Sequence, residues 1–136
     1  MVEHVLVPVD GSPQAKKAFE WALEEFDAPL VTVLHVVHPS DTSRDEGDTV
    51  DVTKVLMSEA AEILDDFDVE PEGVDIERKI AVGRDEVDAV VGYAETEDTD
   101  TVVVGSHGRT GVSRVVLGSV AEGLVRNSPV PVVVVR

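Results

Sequence analysis

Four runs in this 136-residue chain stay apolar where a half-exposed strand would alternate: HVLVPVD (4–10), LVTVLHVV (30–37), TVVVG (101–105) and the closing PVPVVVVR (129–136). Such runs belong to strands covered on both faces, because a strand with one wet face carries polar residues at every second position. Only a sheet held between layers of helix offers that burial. The remaining segments must therefore supply the helices.

They do so with regular spacing. After the first strand, Ser12 is suited to cap a helix and Pro13 to open it. Ala15, Ala18, Phe19, Ala22, Leu23 and Phe26 then fall on one face, with Trp21 beside that face in a packing role. Val52, Val55, Leu56, Ala60, Ile63, Leu64 and Phe67 mark a second amphipathic helix, and Val87, Val90, Val91 and Ala94 a third. Between them VDIERKIAV (74–82) alternates as a third, less buried strand, ended by Gly83. Strands alternating with helices imply a parallel sheet with right-handed crossovers, an α/β class in a single domain spanning 1–136. The segment 39–53, acidic and carrying Pro39 and Gly47, is expected to be a loop.

The connection after TVVVG departs from this economy. GSHGRTGVSRVVLGSVAE (105–122) holds four glycines. Its end, S-V-A-E, has the spacing of a capping box, Ser119 with Glu122, so the last helix is expected to begin there. That makes 105–118 a connection of fourteen residues, where βα loops usually take two to six, and loops of that length are commonly functional. Gly105 and Gly108 would allow positive φ and an inward-facing nest of amide N–H groups. Gly118 and Ser119 lie where a helix N-terminus offers unpaired donors and a positive dipole end. The chemistry these features fit is a polyphosphate held by main-chain donors, with Ser106, Thr110 and Ser119 hydroxyls adding bonds and Arg109 or Arg114 adding charge.

Charge supports the same location. The chain has 28 acidic and 11 basic residues, a net charge of −17. Residues 101–136 carry four arginines against Glu122 alone, +3, which leaves −20 on residues 1–100. An anion meets least repulsion in the last quarter. The overall balance argues against nucleic-acid or anionic-membrane partners and suits a salt-rich cytoplasm that screens self-repulsion. No run approaches the roughly 18 apolar residues of a membrane span and no signal-peptide pattern opens the chain, so a cytoplasmic address is expected. There are no cysteines. His35 and His38 point to opposite faces of a strand, so no metal site is expected. P-loop, dinucleotide and nucleophile-elbow motifs are absent.

Gly105, Gly108, Gly118 and Ser119 fill G-x2-G-x9-G-[ST], and with HVLVPVDGSPQAKKAFEWA and VTVLHVV they make the whole chain resemble the universal stress protein family. The resemblance implies a doubly wound five-stranded sheet in order 3-2-1-4-5 with ATP, with or without Mg²⁺, at the carboxyl ends of strands one and four. That crevice is also where the strand order reverses, the place ligands occupy in open α/β sheets. Pro8, Val9 and Asp10 would then line the adenosine side and Val36 would meet adenine through its main chain. Gly105, Ser106, His107, Gly108, Arg109, Gly118, Ser119 and Val120 would surround ribose and phosphates. Asp10 has a second reading as the residue that closes the DGS turn. His107 has no partner placed by sequence for acid–base work, so no catalytic residue is nominated.

The resemblance further implies a homodimer through the last strand, Val130 to Val135, and an all-valine edge gives an independent reason to expect pairing. The function expected is a nucleotide-dependent stress-response switch acting on an unidentified protein partner. A slow ATP-hydrolysing or adenylyl-transferring enzyme on the same architecture is the alternative.

Overall fold

The computed structural model describes residues 2–38, 49–107 and 117–136. Nine elements alternate along the chain: β1 (His4–Pro8), α1 (Pro13–Glu25), β2 (Leu30–Val37), α2 (Thr49–Asp65), β3 (Asp75–Val82), α3 (Glu86–Thr96), β4 (Thr101–Gly105), α4 (Ser119–Asn127) and β5 (Val132–Val135). The strands form one parallel sheet in order β3-β2-β1-β4-β5, the doubly wound arrangement expected.

Pleating sends alternate residues into two cores. Val5, Val7, Val31, Val33 and Val103 pack on one face against Ala15, Ala18, Phe19 and Ala22 of α1 and Leu64 of α2. Leu6, Leu34, Val36, Val102 and Val104 pack on the other against Val90 and Ala94 of α3 and Ala121 and Leu124 of α4. That division explains why the sequence runs are apolar throughout. Trp21 lies edge-on to Phe26, with ring centroids 5.8 Å apart, consistent with a packing role.

The boundaries differ from the sequence reading at two places. α2 begins at Thr49, so its first turn takes residues assigned to the acidic loop. The rest of that loop, 39–48, lies outside the described residues. β5 begins at Val132, not Val130. Pro131 has no N–H to contribute to a ladder. Its carbonyl instead accepts from Val102 N (3.0 Å) and from Thr101 Oγ1 (2.9 Å).

β1 and β4 are in register at Val5–Thr101 and Leu6–Val102, and the pairing ends there, short of Pro8 and Gly105. α1 leaves β1 toward one face and α4 follows β4 toward the other. A crevice opens between the two strand ends.

Candidate functional site

The first wall of that crevice is the turn after β1. Val9 N still donates to Leu34 C=O (2.9 Å), which keeps it beside β2, and His35 Nδ1–H donates to Val9 C=O (2.9 Å). The chain then reverses. Asp10 Oδ1 accepts from Ser12 N (3.0 Å), Gly11 takes φ +82°, and Ser12 Oγ accepts from Ala15 N (3.2 Å) to cap α1. Positive φ disfavours any residue with a Cβ, so the glycine of the DGS turn is required locally. Asp10 thus has the structural role read from sequence, while its carboxylate also borders the crevice.

The second wall is where β4 gives way to α4. Ser106 N donates to Val135 C=O (2.8 Å) and Gly118 N donates to Ser106 C=O (2.7 Å), so the long connection starts and ends at one point. Ser106 is buried, with Oγ 3.1 Å from His107 Nδ1.

Two expectations are corrected here. Gly105 is not in the positive-φ region. It is glycine because a Cβ would lie 2.9 Å from both C and O of Gln14, the second residue of α1. And Ser119 does not cap α4. Gly118 holds the cap position at φ −64°, ψ 160° and makes no side-chain cap bond, while Glu122 turns outward to Arg126 (3.1 Å). The first intrahelical bond is Glu122 N to Gly118 C=O (3.0 Å). The N–H groups of Ser119, Val120 and Ala121 therefore have no intrahelical acceptor.

Between the walls lies a cavity of about 340 Å³, within the size range of small-ligand sites. Nine of the twelve residues nominated from sequence border it: Pro8, Val9, Asp10, Gly105, Ser106, His107, Gly118, Ser119 and Val120. Val36 is not among them. It borders an adjoining cavity of about 200 Å³ with His35, His38, Leu56, Glu59 and Ile63, and Asp10 and Glu86 belong to both. Leu34 C=O faces β1 and Val37 C=O accepts from Gly83 N on the β3 side (3.1 Å), so alternation turns Val36 C=O toward β1, beyond the point where β1 has left the sheet. Gly108 and Arg109 lie outside the described residues.

Glu86 was not anticipated. In sequence it reads as a first-turn acid completing the dipole of α3, whose cap is Asp85. In the fold it stands at the partition between the two cavities, its Oε1 3.8 Å from His38 Nε2. Burial, then the charge of Asp10, raise its pKa above the ordinary carboxylate value, with His38 opposing. The available signal was topological: α3 starts at the carboxyl end of β3, on the same side of the sheet as the other loops.

A parallel sheet with helices on both faces, opening at its point of strand reversal beside an uncapped helix N-terminus, defines a doubly wound α/β protein whose crevice lies where such folds commonly take ligands. The family model of the universal stress protein family matches residues 1–136, and the chain belongs to that family. A universal stress protein of Methanocaldococcus jannaschii is 32% identical over 142 residues, covering all of this chain and 83% of the relative. Among solved structures, MJ0577 of the same organism aligns with TM-score 0.85 at 31% identity, over 99% of this chain and 96% of that one. A universal stress protein solved in complex with cAMP aligns with TM-score 0.61 at 26% identity, over 99% of this chain and 97% of that one.

Proposed function

We propose that this protein binds an adenine nucleotide, ATP foremost, in the crevice between β1 and β4, and uses its occupancy as a stress-response switch toward a protein partner. The observation that carries the reading is the start of α4: three main-chain N–H groups, at Ser119, Val120 and Ala121, without an intrahelical acceptor beside the cavity. Such a terminus favours a phosphate through both its donors and its dipole. Ser106 and His107, with the motif residues Gly108 and Arg109, would surround ribose and phosphates, and Pro8, Val9 and Asp10 would line the adenosine side. The relative solved with cAMP supports an adenine nucleotide as the ligand class.

Among the described residues no three side chains are grouped to hold a metal ion. Mg²⁺ would accordingly arrive on the phosphates, as it usually does where few carboxylates are supplied.

Titration calorimetry with Mg·ATP tests the reading, using the Gly118→Val variant as the control. Gly118 has a backbone conformation that any residue adopts, so valine adds bulk at the phosphate end without backbone strain. The wild type should bind and the variant should lose at least about tenfold in affinity, remaining folded with a melting temperature lowered by no more than a few degrees, since valine is the poorer N-cap. Equal binding by the two proteins would overturn the site.

The same reading places the protein in the cytoplasm as a two-fold dimer. Among the described residues no helix is long and apolar enough to cross a membrane. β5 is an edge strand with Val132, Val133 and Val134 partly exposed, a liability that pairing with a second copy removes. Sedimentation at micromolar concentration should return about twice the 14.6 kDa chain mass; a monomer would remove the dimer.

A further inference from the structure

We propose that Glu86 is a specificity-determining residue of this site: with the Val36 carbonyl, its carboxyl forms an acceptor pair at the base end that selects a nucleobase presenting an amine, and not a carbonyl, at the position that reaches it. This rests on the nucleotide reading, which fixes the direction of the ligand. If phosphates sit at the N-terminus of α4, the base extends away from it, past Asp10, toward the partition between the two cavities. There the chain presents oxygen.

Val36 C=O is aimed at the space vacated by β1, and Glu86 borders both the main cavity and the one that Val36 lines. The two residues share a face of the sheet. Val36 packs in the core formed with α3, and Glu86 is the first residue of that helix. His38 Nε2 stands 3.8 Å from Oε1 of the carboxyl; Oε2 is the oxygen this proposal assigns to the ligand.

Two acceptors suit an amine with two N–H donors, such as N6 of adenine. They oppose the carbonyl oxygen that hypoxanthine and guanine carry at the same position, because acceptor would then face acceptor in a partly dry site. Protonation does not abolish the preference. A protonated carboxyl keeps one acceptor oxygen and adds an O–H for the ring nitrogen next to the amine. Burial and Asp10 both push Glu86 in that direction.

The test compares ATP with ITP, which differ at the base in that one group and its neighbouring ring nitrogen. Affinities are measured by titration calorimetry on the full chain, for wild type, Glu86→Ala and Glu86→Gln. Wild type should prefer ATP by about ten- to a hundredfold, the range for one hydrogen bond to a charged group. Glu86→Ala should bring the ratio to within about threefold by weakening ATP. Glu86→Gln should narrow it by the other route, keeping ATP and gaining ITP, since the amide can turn its NH₂ toward the carbonyl. A purely structural role for Glu86 would weaken both ligands alike. An ATP-to-ITP ratio unchanged in both variants, with wild type still binding ATP, overturns this proposal and leaves the nucleotide reading intact. Wild type binding neither nucleotide overturns both.

Discussion

Gly105 offers the sharpest test of how the site is held, because its packing and a direct role in ligand binding predict different things. A Cβ at this position would stand 2.9 Å from the carbonyl carbon and oxygen of Gln14 and 3.1 Å from its Cβ. Ordinary contact begins near 3.4 Å, so Gly105→Ala requires a retreat of about 0.5 Å. Backbone cannot rotate aside as a side chain does. The retreat must move the first turn of α1, which is fixed by the Ser12 cap and the Asp10 turn. Overpacking of this kind costs about 1–3 kcal/mol. For a chain of this length that lowers the melting temperature by about 3–12 °C and the urea midpoint by roughly 0.5–1.5 M. Trp21, the single tryptophan, lies in α1 and reports the transition by fluorescence. The slope of the unfolding curve should not change. A variant with the wild-type midpoint would show that the approach to Gln14 is not tight. A wild-type midpoint combined with lost ATP binding would return Gly105 to the ligand-binding role read from its motif.

Gly92→Ala should do the opposite: Gly92 is inside α3 with nothing within 4 Å of the added Cβ, so the variant should gain about 0.5–1 kcal/mol in urea unfolding. Asp100 accepts from Glu3 N and His4 N, both at 2.9 Å, and these bonds hold its pKa below the ordinary carboxylate value. A depressed folded-state pKa gives stability above the unfolded value that is lost as pH falls through the folded one. Asp100→Asn should therefore melt below wild type at pH 6, with the gap closing toward pH 2; a constant gap would separate the effect from the charge. With a net charge of −17, the melting temperature should rise between 0.1 and 1 M KCl as the screening length falls from about 10 to 3 Å. A flat salt profile would remove the salt-rich cytoplasm as the reason for the acidity.

The sheet was legible in the sequence because burial on both faces leaves a local mark: Val5, Leu6 and Val7 are all fully buried, on alternate sides. β3 was legible from the alternation of its sequence, although in the fold this edge strand exposes Glu77, Arg78 and Lys79 in succession. The cap of α4 was misread because S-x-x-E states a spacing and not a position in space. The bond from Gly118 N to Ser106 C=O fixes Gly118 in extended conformation, and that makes Ser119 the first helical residue. Gly105 borders the crevice, but not for the positive φ that its motif suggests. Its constraint comes from Gln14, some ninety residues earlier, and no local pattern encodes a contact with another element's backbone. Glu86 was missed on the same ground.

These two misreadings bear on what can vary in such a site. Donors supplied by main-chain N–H groups cannot be removed by substitution; they can only be blocked by bulk, as at Gly118, or displaced, as through Gly105 and α1. A cradle of that kind holds phosphate without distinguishing the molecule attached to it. On the proposed reading discrimination comes from the far end of the crevice, where the Val36 main chain is joined by the side chains of Asp10, Glu86 and His38. Asp10 already closes the β1–α1 turn, and Asp10→Ala would disturb the cap of α1 along with any ligand contact. Glu86 carries no comparable burden, since Asp85 caps α3. If the proposed nucleotide site holds, Glu86 is therefore the position at which base preference would change while the fold and the start of α4 stay as they are.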